Sequence, residues 1–153
     1  MTEYRFYQDI TVRYGDLDPQ GHVNNATYLT YLEHARTSYL YTLGLWDGHS
    51  FSDIGIIIAE IRITYKAPIL LGQKIRVGVC VPRIGNKSFV MSYRIEDVSS
   101  GASLAEAESV QVAYDYRRSE TIPISPSWRQ AINAFEMSPD ANIPQNPVKK
   151  HDS

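Results

Sequence analysis

One cysteine, Cys80, stands in 153 residues, a scarcity that excludes an internal disulfide framework and fits a reducing compartment. No apolar run approaches the roughly 18 residues that a bilayer-spanning helix needs, so no membrane contact is expected. The opening MTEYRFYQDI has no basic stretch followed by an apolar one, and the expected location is cytoplasmic. Neither sign of charge dominates. Fifteen Lys and Arg against seventeen Asp and Glu give a net charge of −2, which argues against a chain built to coat nucleic acid. Any phosphate-bearing ligand must then be held by a local patch. There is no internal repeat, and 43% hydrophobic with 21% charged residues fits one globular domain with a real core.

What is present is organised around Tyr14 to Leu43, where a polar turn, Asp16-Leu17-Asp18-Pro19-Gln20-Gly21-His22-Val23-Asn24-Asn25, runs into the longest helical pattern. Asn24 and Asn25 are both good N-caps, and Tyr28, Leu32, Ala35, Tyr39 and Leu43 form one apolar stripe that ends at Gly44. The turn thus delivers an aspartate to a helix N-terminus, where unpaired N–H groups and the aligned peptide dipoles stabilise an oxyanion. A carboxylate beside such a site points to acyl-transfer chemistry.

Before the turn, Phe6, Gln8, Ile10, Val12 and Tyr14 alternate as a half-buried strand. After Gly55, Ile57, Ala59, Ile61, Ile63 and Tyr65 alternate with Glu60, Arg62, Thr64 and Lys66, up to Pro68. Two further alternating rows follow, Ile75 to Val81 and Phe89 to Ile95. A last strand, from about Ser103 to Arg117, sets Leu104, Val110, Val112, Tyr114 and Tyr116 against Ala105, Ala107 and Ala113. The expected class is α+β, a five-stranded antiparallel sheet with one long helix lying across it. One helix covers one face, so the other, carrying Ile56, Ile58 and Val90, suggests a sheet-mediated dimer. Residues 1–120 form the domain, 121–137 an extension with a short helix anchored by Trp128, Ile132 and Phe135, and 138–153 a disordered tail.

The run DLDPQGHVNNATYLTYLEHAR, together with AEIRITYKAPILLGQKI and the order of elements over roughly residues 5 to 117, closely resembles the hot-dog acyl-CoA thioesterases of the 4-hydroxybenzoyl-CoA thioesterase-like group. HVNN after an aspartate also resembles the corresponding turn of plant acyl-ACP thioesterases. The resemblance implies a hot-dog fold, with the sheet wrapped around the helix, and a homo-oligomer, dimer or tetramer, that hydrolyses an acyl-CoA. It requires no cofactor beyond the coenzyme A of the substrate. It places the catalytic carboxylate on Asp18 and the carbonyl-polarising N–H on Asn25. His22 matches a histidine given a catalytic part in the plant enzymes, and Gln20 stands where that family has an asparagine.

The residues give their own reasons. A thioester is already electrophilic, so a positioned carboxylate suffices, either as general base on water or as direct nucleophile. Asp16 and Asp18 also have an ordinary explanation in turn and capping hydrogen bonds, and that is the expected role of Asp16. His22, an imidazole with one donor and one acceptor nitrogen, suits an orienting or proton-transfer role. Asp16-x-Asp18-x-Gln20-Gly21 imitates the start of a calcium loop, but Thr27 stands where a bidentate Glu belongs, so no metal is expected. Glu60 and Arg62 suit a cross-strand pair or a solvated face, with Glu60 alternatively reaching a neighbouring subunit. Glu33 and Arg36 have the spacing of a helix ion pair. Lys66, Arg83 and Lys87 are the candidate cations for coenzyme A phosphates. Cys80 has no histidine or acid near it in sequence and is not a candidate nucleophile. A carrier-protein substrate, or an acyl-thioester binder without catalysis, remains open.

Overall fold

Alternation of apolar residues over Phe6–Ile10 makes the edge strand β1, with Phe6 and Ile10 in the core. The chain is described by a computed structural model that covers residues 3–50 and 53–137. The expected strand reached Tyr14, but Val12 is the last inward residue. Tyr14–Asp16 turns into one 3-10 segment and leaves Tyr14 82% exposed, because the Asp16 side chain draws the Arg13 N–H back on itself at 2.9 Å. Helix α1 (Thr27–Thr42) then crosses the sheet and buries Tyr28, Leu32, Ala35 and Tyr39 of the expected stripe together with Tyr31, Arg36, Ser38 and Leu40. Its C-terminus follows from Gly44. At φ 75 this residue lets the Leu45 N–H reach the Leu40 carbonyl at 2.9 Å while its own N–H reaches that of Tyr41 at 3.0 Å. Open space surrounds the position where a Gly44 Cβ would stand, so Gly44→Ala costs only the left-handed strain, about 1 kcal/mol. A urea unfolding midpoint lowered by that amount, with an unchanged slope, checks it.

Four strands follow: β2 (Ile56–Tyr65), β3 (Ile75–Ile84), β4 (Ser88–Asp97) and β5 (Ser103–Asp115). With β1 they form an antiparallel sheet in the order β1-β3-β4-β5-β2, so α1 carries the chain from one edge strand to the other. A two-residue strand, β6 (Glu120–Thr121), adds to the end of β5. Among the described residues no helix is long and apolar enough to cross a membrane.

Two expected faces change. In β2 the register against β5 slips at Ala59, between the pairs Ile58↔Gln111 and Glu60↔Val110. One extra residue reverses the parity, so Ile56, Ile58, Ile61, Ile63 and Tyr65 lie opposite Ala113, Gln111, Ser109, Ala107 and Ala105, the buried row beneath α1. Ile56 is therefore core, 6% exposed, and Ile57 turns outward. The outer apolar patch consists of Ile57, Val90, Val110 and Val112, joined by the pairs Ile57↔Val112 and Val90↔Val110. The three alanines of β5 belong to the face under the helix.

Arg36 also departs from expectation. It turns inward, away from an ion pair with Glu33, and its Nη1 donates to the Tyr93 hydroxyl at 3.2 Å. Ser109 Oγ lies 2.6 Å from that hydroxyl and accepts from Gln111 Nε2, so a buried polar seam joins α1, β4 and β5. Once one buried group needs a partner, its neighbours must also be polar.

Helix α2 (Pro126–Met137) docks as its sequence suggests. Ile132 is fully buried, the Trp128 ring stands 6.3 Å from Phe89, and the Phe135 ring stands edge-on to Tyr39 at 5.5 Å. Glu136 completes the contact by accepting the Tyr39 hydroxyl at 2.6 Å and the Val81 N–H at 2.8 Å. That N–H is available because the β3–β4 register slips between Cys80 and Arg83. The tail 138–153 lies outside the described residues.

Burial raises the Glu136 carboxyl above the usual glutamate range, against the pull of those two donors. Folded protein then holds a proton that unfolded chain has released, so this residue's contribution to stability is present below the ordinary glutamate pKa and is lost as pH rises through the raised one. Melting temperatures across acidic to neutral pH should fall for the wild type relative to Glu136→Gln, whose amide oxygen still accepts both bonds. Parallel curves would contradict this.

Candidate active site

The polar turn folds as a small hairpin. Leu17 bridges Val23, the Asp18 N–H meets the His22 carbonyl at 2.9 Å, and the Gly21 N–H returns to the Asp18 carbonyl at 3.0 Å. Gly21, at φ 84, is the left-handed residue that closes a three-residue loop of this kind. Val23 is buried and its N–H reaches Ile69 at 2.9 Å, which pins the hairpin to the segment after β2.

Asp18 stands half-exposed at the start of this loop. Its Oδ1 accepts the Gln20 N–H at 2.8 Å, the capping role that turn chemistry offers, while Oδ2 has no partner among the described residues. One oxygen orients the carboxyl and the other is left for a ligand. Gln20 is exposed, and it is its backbone N–H, not its amide, that orients Asp18. His22 is half-buried in the return arm of the loop.

Neither expected residue is the N-cap of α1, which is Ala26 and carries no side-chain capping bond. Asn24 instead closes the turn before the helix, its Oδ1 accepting the Ala26 N–H at 2.8 Å and its carbonyl the Thr27 N–H at 2.9 Å. Asn25 makes no such turn bond. Its side chain is exposed, its carbonyl accepts the Tyr65 hydroxyl at 2.8 Å, and its N–H has no partner among the described residues. A carboxylate with one free oxygen and an unpaired amide therefore occupy the two ends of the short segment 18–25. This arrangement suits nucleophilic or base-assisted attack on a carbonyl whose oxygen takes up the amide.

The other candidates are more scattered. Lys66 follows β2, close to the tyrosine that holds Asn25, and pairs with Glu106 at 3.1 Å. Lys87 lies toward the opposite end of the sheet, since Tyr65 pairs with Ala105 but Ser88 with Val112, roughly 23 Å further along β5, while Arg83 stands level with Val110. Arg83 and Arg62 both approach Glu108, each at 3.8 Å, and such exposed pairs contribute about 0–1 kcal/mol. Glu60 is exposed on the outer face, opposite Val110. Cys80 is buried, and that burial pushes its thiol up to about 12, which makes it inert.

Two supports were missed at the level of sequence. Tyr65 packs edge-on against Tyr28 at 4.8 Å while its hydroxyl holds Asn25. Tyr31 donates to Asp16 Oδ2 at 2.7 Å. The available signal was tyrosine at helical spacing behind an acidic turn, but that spacing equally describes plain core.

A single long helix across an antiparallel sheet, with an acidic hairpin feeding the helix start, is the hot-dog arrangement of thioester hydrolases. The chain belongs to the Thioesterase-like superfamily, whose family model matches residues 12–132. It is 28% identical over 132 residues to the long-chain acyl-CoA thioesterase FadM of Escherichia coli strain K12, covering 80% of this chain and 93% of that one. It is likewise 28% identical over 132 residues to the 1,4-dihydroxy-2-naphthoyl-CoA hydrolase of Thermosynechococcus vestitus, covering 83% and 89%. Among solved structures, a thioesterase from Thermus thermophilus complexed with coenzyme A and Zn superposes with a TM-score of 0.78 at 31% identity, covering 91% of this chain and all of that one.

Proposed function

We propose that the protein hydrolyses an acyl-CoA to the free acid and coenzyme A, with Asp18 as general base or nucleophile and the Asn25 N–H as oxyanion donor. The observation that carries this reading is the free Asp18 oxygen on a closed hairpin that leads to an unpaired amide at the start of α1. As base, Asp18 takes a proton from water while the resulting hydroxide attacks the carbonyl. The tetrahedral oxyanion is held by the amide, and its collapse expels the thiolate, which takes up a proton. As nucleophile, Asp18 forms a mixed anhydride that water then opens. Neither route needs a metal or a further cofactor. His22 orients water or thioester from the return arm, and Lys66 is the nearest of the candidate cations for a coenzyme A phosphate.

The relatives act on acyl groups as different as long chains and a dihydroxynaphthoyl ring, so the acyl group is read from a thiol-release screen over short, long and aromatic acyl-CoAs, with an acyl-ACP for comparison. Turnover on an acyl-CoA supports the reading, and binding without thiol release would overturn it in favour of a non-catalytic binder. The outer edge of β2 and the patch of Ile57, Val90, Val110 and Val112 favour a homo-oligomer, which light scattering measures directly.

A further inference from the structure

Asp18 can act only if its free oxygen and the Asn25 amide hold a fixed separation, yet they sit on different elements. Asp18 is on a loop of three residues and Asn25 is at the start of a helix. Asp16 is the group that spans them. Its Oδ2 accepts the Arg13 N–H at 2.9 Å and the Tyr31 hydroxyl at 2.7 Å, and its carbonyl accepts the Asn24 N–H at 2.9 Å. These three bonds run to the chain leaving β1, to the first turns of α1 and to Asn24, which closes the turn leading into that helix.

Tyr31 is no loose surface donor. It is 6% exposed, and burial together with the adjacent Asp16 raises its hydroxyl far above the ordinary tyrosine value, so the proton stays on the hydroxyl at any working pH. A carboxylate that only closed its own turn would be satisfied by the Arg13 N–H. The second bond, across fifteen positions of sequence to a buried helix residue, ties hairpin to helix.

We infer that Asp16 and Tyr31 are positioning residues that set the placement of the Asp18 carboxyl relative to the Asn25 amide. This rests on the reading of Asp18 given above. What the strut needs is an acceptor oxygen at position 16, not its charge, because both donors are neutral groups. Small misplacements of a reacting group cost rate rather than binding, up to a hundredfold for about 1 Å.

The test uses the full chain with an acyl-CoA found in the screen, and kcat is normalised to folded protein by circular dichroism. Tyr31→Phe, which removes one oxygen, and Asp16→Ala should each lower kcat about tenfold or more, with KM changed less than about threefold. Asp16→Asn, which keeps the acceptor, should stay within about threefold of the wild type. Asp18→Asn is run beside them. If it abolishes turnover while Tyr31→Phe keeps the wild-type kcat, the strut is overturned and Asp18 stands. If Asp18→Asn turns over normally, both fall. A loss confined to KM, or an Asp16→Asn variant as slow as Asp16→Ala, also overturns the strut.

Discussion

Asp18→Asn is expected to lower kcat by roughly a hundred- to ten-thousandfold, the range set by removing a base or nucleophile from a reacting carbonyl. The variant is nearly isosteric, and hydrogen bonding dictates its orientation. The Gln20 N–H donates to Asp18 Oδ1 at 2.8 Å, so the amide must turn its oxygen to that donor and its NH2 to the site of the free oxygen. A group that takes protons is replaced by one that gives them, with the loop geometry kept. Unfolding curves should match the wild type, since the carboxyl is half-exposed and the bond that fixes the turn survives. Steady-state thiol release is the measurement, and an undiminished rate would remove Asp18 from the reaction.

Phe89→Ala is expected to destabilise the fold by about 3–5 kcal/mol, the usual cost of emptying an aromatic site in a core. Phe89 is 1% exposed, sits in β4 opposite Ile84 and Gln111, and carries Trp128 of α2 on its ring. Truncation therefore removes transfer free energy and leaves a void that α2 fills only by shifting from its contacts with Tyr39 and Val81. A fall in melting temperature on the order of 10 °C is expected for a chain of this size. A loss below about 1 kcal/mol, well under that range, would mean that α2 collapses into the gap, and the contact between extension and sheet would then be loose.

Most of the fold was legible because each element carries its own period. The stripe Tyr28, Leu32, Ala35 and Tyr39 and the rows Val77–Val79 and Met91–Tyr93–Ile95 all reach the core as read. What failed depends on two elements at once. Ala59 looks like any member of an alternating row, and only the register with β5 makes it the extra residue. Arg36 has the spacing of a surface ion pair, and only Tyr93 on a distant strand draws it inward. The proposed site could be read where its motif is contiguous, at Asp18 and Asn25, whose local bonds follow from the turn itself. It was not legible where support arrives through space, as at Tyr31 and Tyr65. Lys87 lies far along the sheet from Tyr65, because charge at a turn carries no information on which end of the sheet that turn occupies.

The irregularity at Ala59 bears on how this chain can drift in length. Excision of that alanine would restore an unbroken two-residue rhythm and force either Ile56–Ile58 or Glu60–Tyr65 to turn inside out, sending isoleucines to water or the Glu60 carboxylate and the Arg62 guanidinium inward. Exchange of Ala59 for another exposed residue disturbs neither half. The position is permissive to substitution and closed to deletion.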